Sequence, residues 1–142
     1  MTGVFVWRIC LAGFIGVLMG LLGARREDIR TYTLIAMGAA LVSVISTEFF
    51  KALDNPWVAD PGRLAAQVVA ALGFLGAGFI WVNEKGKVRG LSGAAGIWVV
   101  AIMGILVGSG LKHVTAAASL FVLLLLWISG LLTRKKDKDD NT

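Results

Sequence analysis

Residues 60–80, DPGRLAAQVVAALGFLGAGFI, decide how the rest of the chain is read. Asp60 is a capping residue type and Pro61 suits a first helical position, so a helix is expected to start there. The residues after Arg63 stay apolar or small for long enough to cross the hydrocarbon core of a bilayer, about 30 Å thick. Arg63 and Gln67 follow Asp60 at helical spacing and share one broad face with it. Ala66, Ala70, Gly73 and Ala77 form a neighbouring stripe nearly bare of side chain, with Gly76 and Gly78 in the same helix. Another helix can approach such a seam closely. The expectation is a membrane-spanning helix with a polar head, serving as the packing centre of its bundle.

Outward from this stretch the same composition continues. The chain has 142 residues, 57% of them hydrophobic, and a mean hydropathy of +0.79. The apolar residues gather in five runs, Val4–Gly23, Thr31–Phe50, Leu64–Val82, Leu91–Gly110 and Val114–Leu132. Each is close to the ~20 residues that span a bilayer as helix. Inside lipid every backbone group must pair within its own segment, and the alternation of barrel strands is absent. The fold class read here is therefore all-α: a polytopic membrane protein with five transmembrane helices. Residues 1–133 form the membrane domain, and 134–142 are expected to be a disordered tail whose basic part lies near lipid headgroups. The first run has neither a basic leader nor a clear cleavage site and is expected to be retained. The single cysteine, Cys10, excludes a disulfide framework within one chain.

The cations set an orientation. Arg25, Arg26, Arg30, Lys85, Lys87, Arg89, Arg134, Lys135, Lys136 and Lys138 fall on one side, against Lys51, Arg63 and Lys112 on the other. The positive-inside rule then puts the N-terminus outside and the C-terminus in the cytoplasm. Basic residues split among short loops do not make a nucleic-acid face. Partners are thus expected to be the bilayer, a second copy of the chain (a dimer foremost) and a membrane-protein partner.

Within the runs, Gly16 and Gly20 form a close-packing pair, repeated by Gly104 and Gly108. Arg8 either snorkels to the headgroups or pairs with Glu48 or Asp60 on the same side. Glu48 is the one acidic residue inside any run, and a carboxylate there is a functional candidate by default. Arg30 opens the second helix, as an anchor or as part of a polar network. Asn55-Pro56 and Asp60-Pro61 break the chain between the second and third helices, with Trp57 as an interfacial anchor. NEKGKVRG, residues 83–90, reads as a tight basic turn, and the leucine-rich fifth run as a peripheral helix. Gly13-Phe14-Ile15-Gly16 resembles Gly73-Phe74-Leu75-Gly76, which suggests a parallel repeat of helix pairs 1–2 and 3–4.

DPGRLAAQVVAALGFLGAGFI followed by VRGLSGAAGIW, with DIRTYTLIAMGAAL earlier, resembles the MgtC/SapB family of membrane proteins over the first four helices. There are departures. Only Arg26-Glu27 remains of an acidic-basic motif after the first helix, Tyr32 stands where the family pattern has His, and Ser92-Gly93 where it has Thr-Thr. The resemblance implies a short form without the cytoplasmic regulatory domain that several members carry. It implies a bacterial inner-membrane protein associated with magnesium homeostasis and, in pathogens, with survival inside host cells. Members have also been linked to regulation of membrane machinery such as ATP synthase.

Two functions follow for testing. One is modulation of a membrane partner. The other is an ion transporter or channel subunit, magnesium- or proton-coupled, acting as a homo-oligomer. Mg²⁺ needs oxygen ligands and gives up its water reluctantly, yet only Glu48 and Asp60 offer carboxylates near the spans. No nucleophile–base set, metal-ligand cluster or phosphate loop is visible, so neither enzymatic activity nor a cofactor is expected. The candidate binding cluster is Asp60, Arg63, Gln67, Glu48 and Arg30. Expected packing residues are Gly16, Gly20, Ala66, Ala70, Gly73, Gly76, Gly78, Gly104 and Gly108.

Overall fold

The computed structural model describes residues 2–23, 28–52, 60 and 62–139. Arg25, Arg26-Glu27, Asn55-Pro56, Trp57 and Pro61 lie outside the described residues. Five helices form: α1 (Thr2–Leu22), α2 (Asp28–Ala52), α3 (Gly62–Phe79), α4 (Leu91–Ser109) and α5 (Lys112–Asp139). All five are long and apolar enough to cross a membrane. A two-residue ladder, β1 (Trp81–Val82) with β2 (Val88–Arg89), joins α3 to α4. The third helix therefore stops at Phe79, earlier than its hydropathy suggested. Asn83 Oδ1 accepts the Lys85 and Lys87 amides at 3.1 and 2.9 Å, and Gly86 takes the left-handed conformation that closes the turn. α5 runs on to Asp139, into the stretch expected to form the tail.

The axis of the bundle is the pair α2 and α4, not α3. Gly104 and Gly108 lie so close to α2 that a Cβ would strike the Ala36 and Ala40 carbonyls. Gly96, about two turns before Gly104, lies against Tyr32. Contacts that rise together along both helices make them parallel. α1 crosses α2 antiparallel, with Gly16 beside Thr33 and Gly20 beside Ile29; added Cβ atoms would sit 2.8 and 2.6 Å from those Cα atoms. Small residues are what permit this approach, because in lipid close packing and not apolar burial holds helices together.

The core gathers Ala12, Ile15 and Met19 of α1, Ala36, Ala39 and Ala40 of α2, and Ile97, Val100, Ala101, Met103 and Val107 of α4. α3 adds Leu72. Buried residues make up 39% of the α2 and α4 spans but 6% of the α3 and α5 spans, so α3 and α5 are peripheral. The expectation that α3 is the packing centre is corrected here. Gly76 meets Ala94 at 3.8 Å, but a Cβ at Gly73 or Gly78 would find nothing within 4 Å, and Ala66 and Ala70 are exposed. A small-residue seam permits close approach but does not determine that the same chain supplies the partner.

Candidate functional site

Two ends of the bundle can be told apart: one carries Lys51, Asp60 and Lys112, the other Arg30 and the β-turn. At the first end the helix termini and intramembrane polar groups converge on the last turn of α4. The final carbonyls of a helix have no partner within it. In hydrocarbon each such group left bare costs several kcal/mol.

Three other helices supply the partners. Ser43 Oγ of α2 donates to the Ile105 carbonyl at 2.9 Å. Thr115 Oγ1 of α5 donates to the Leu106 carbonyl at 3.0 Å, joined there by Ser109 Oγ at 2.9 Å. The Gly110 amide, in a left-handed residue with φ 79°, returns to the Val107 carbonyl at 3.2 Å. Arg8 of α1 donates one guanidinium N–H to the Gly108 carbonyl at 3.0 Å. Its position beside Gly110 is tight enough that a Cβ there would strike it. A cation at the negative end of a helix is favourable in its own right, by up to about 2 kcal/mol when partly buried. Ser43, Ser46 and Thr115 are the buried polar residues of the molecule among the described ones.

The residues singled out from sequence do not converge. Asp60 caps α3: its Oδ1 accepts the Gly62 amide at 2.7 Å and its carbonyl accepts the Arg63 amide at 3.2 Å. Arg63 and Gln67 are exposed on α3. Glu48 takes Lys51 Nζ at 2.7 Å, the one ion pair among the described residues. Arg8 therefore pairs with neither Glu48 nor Asp60; the helix-end carbonyl is nearer and needs the donor more. Arg30 is exposed in the first turn of α2. That is 18 positions from Glu48, about 27 Å of helix. No group of three or more His, Cys, Asp or Glu that could hold a metal occurs among the described residues.

Sequence reasoning passed over Ser43, Ser109 and Thr115. Their signal was a hydroxyl near the same end of three different apolar runs. The acceptors were invisible because they are backbone. At the other end, the Tyr32 hydroxyl lies 3.5 Å from the Gly93 carbonyl. Tyr32 and Gly93, far apart in the sequence, thus meet in space.

The geometry defines a class: a small polytopic helical membrane protein in which a close-packed parallel helix pair is closed at one end by its neighbours' side chains. Comparison with known proteins gives the particular case. The chain belongs to the MgtC family, whose sequence profile matches residues 9–135. It is similar to the "Putative magnesium transporter YhiD" of Escherichia coli, 39% identical over 142 residues, covering 94% of this chain and 64% of the relative. It is 42% identical to "Protein MgtC" of Brucella abortus over 120 residues, 80% of this chain and 47% of that one. It is 33% identical to "Protein SrpB" of Synechococcus elongatus over 130 residues, 84% of this chain and 71% of the relative. The chain thus spans about half to two thirds of the first two. No solved structure matches.

Proposed function

We propose that this is a bacterial inner-membrane protein of magnesium homeostasis that acts by modulating a membrane partner, with its N-terminus outside and its C-terminus in the cytoplasm. The observation that carries the reading is α3. Its Arg63, Gln67, Ala70, Gly73, Phe74 and Gly78 are exposed, so a seam suited to close helix contact has no occupant among the described residues. A second copy in a dimer, or a partner's helix, would bury it. The magnesium setting is supported by the name of the Escherichia coli relative and by the family. The reading retains a parallel repeat of helix pairs 1–2 and 3–4, which superposition of the two pairs would test. The proposal includes no catalysis.

The second reading is an ion transporter or channel subunit, favoured by the same relative's name and by Arg63 and Gln67, polar groups that an oligomer could turn toward a pathway. Purified protein in liposomes separates the two. Under the first reading Mg²⁺ and proton flux match protein-free vesicles. Flux in the wild type that falls in Asp60→Asn or Glu48→Gln would establish the second instead.

A further inference from the structure

A groove of about 770 Å³ runs along the outside of the bundle between α1 and α5, ending at the polar cluster of α4. Its walls are Trp7, Leu11, Phe14 and Leu18 on one side and Ala116 and Leu123 on the other. Arg8 and Lys112 stand at its charged rim, with no acidic residue in the lining. Along α5 it extends from Lys112 to Leu123, about 16 Å of helix. That matches one leaflet's share of a hydrocarbon core about 30 Å thick. Ser119 borders the groove two turns below Lys112, and its buried hydroxyl has no hydrogen-bond partner.

We propose that this groove is a binding site for one anionic phospholipid, an acyl chain lying between α1 and α5 and the headgroup phosphate held by Arg8 and Lys112. Charge and shape select this occupant. Arg8 commits one of its five N–H donors to Gly108, which fixes the guanidinium while leaving donors for a phosphate. Lys112 is exposed and opens α5, whose positive helix end faces the same rim. A partner helix fits less well, because the α1 wall is bulky at Trp7, Leu11, Phe14 and Leu18, whereas helices dock on small residues. A second copy placed by a two-fold axis would bring Arg8 and Lys112 of both chains together with no carboxylate in the groove lining between them among the described residues.

The full-length protein in mild detergent, followed by native mass spectrometry during titration with phosphatidylglycerol or with phosphatidylcholine of the same chains, tests this. One phosphatidylglycerol per chain should be retained in preference to phosphatidylcholine. Lys112→Gln, which alters an exposed side chain, should weaken retention about fivefold. Ala116→Trp, which fills the groove, should abolish it. Arg8→Gln should weaken retention as Lys112→Gln does, and unchanged retention in both charge variants would remove the phosphate from this rim. Equal retention of the two lipids, or retention unchanged by both Lys112→Gln and Ala116→Trp, would overturn the assignment. So would efficient disulfide formation between two copies, or to another protein, through Trp7→Cys in a Cys10→Ser background in native membranes.

Discussion

The Tyr32 hydroxyl occupies the space in which a Cβ at Gly96 would lie, and the ring's Cζ is 2.7 Å from that point. Gly96→Ala should therefore force the two central helices apart at this end. An overpacking cost of about 1–3 kcal/mol is expected. Thermal unfolding in detergent measures it, and the cost should shrink when Gly96→Ala is combined with Tyr32→Phe, because the closest atom is then gone. Two additive changes would mean that the contact is not the cause.

Gly104 and Gly73 look alike in the sequence and should behave oppositely. Gly104→Ala drives a methyl into the Ala36 carbonyl and should cost at least about 1–3 kcal/mol. Gly73→Ala meets nothing within the chain and should stay within about 0.5 kcal/mol. A bulkier Gly73→Leu, harmless to the monomer's unfolding temperature, should lower cross-linking between copies or to a partner if α3 is the docking surface. Unchanged cross-linking would remove α3 from that role.

These residues also mark what could be read in advance. The five spans are legible because hydropathy over ~20 residues reports directly on lipid solvation, and the helices fall within a few positions of the expected runs, save that α5 continues to Asp139. Which helix lies at the centre is not. α3 carries the denser run of small residues, yet it lies outside, while Gly104 and Gly108 of a bulkier helix meet α2. Spacing along one helix contains no information about which neighbour arrives. The site was half legible: Arg8 and the hydroxyls stand out as polar groups in apolar runs. The carbonyls of residues 105–108 carry no sequence signal at all.

Removal of the Arg8 guanidinium leaves the Gly108 carbonyl bare. Arg8→Met, which keeps the apolar stem, should destabilise the protein by about 1–3 kcal/mol. Thr115→Val should cost less, about 0.5–1 kcal/mol, since Ser109 still reaches the Leu106 carbonyl. Unfolding in detergent that ranks Thr115→Val above Arg8→Met would contradict the assigned roles.

Asp60 and Glu48 should separate by the kind of bond each makes. Asp60→Ala loses the α3 cap and should cost about 1 kcal/mol, while Asp60→Asn keeps an acceptor and should cost little. Glu48→Gln breaks only a partly exposed ion pair and should change stability by no more than about 1 kcal/mol. The same unfolding assay, run at low and high salt, distinguishes them: the Glu48 contribution should fade with salt, while the Asp60 cap hydrogen bond should persist.

The carbonyls at the end of α4 receive donors from α1 and from α5, the first and the last helices in chain order. Arg8 enters the membrane with α1, ahead of α4, whereas Thr115 follows α4 in chain order. The Thr115 contact is therefore ordered by translation: it forms only when α5 inserts. A chain truncated before α5 would keep the first four spans and lose the Thr115 donor to the Leu106 carbonyl.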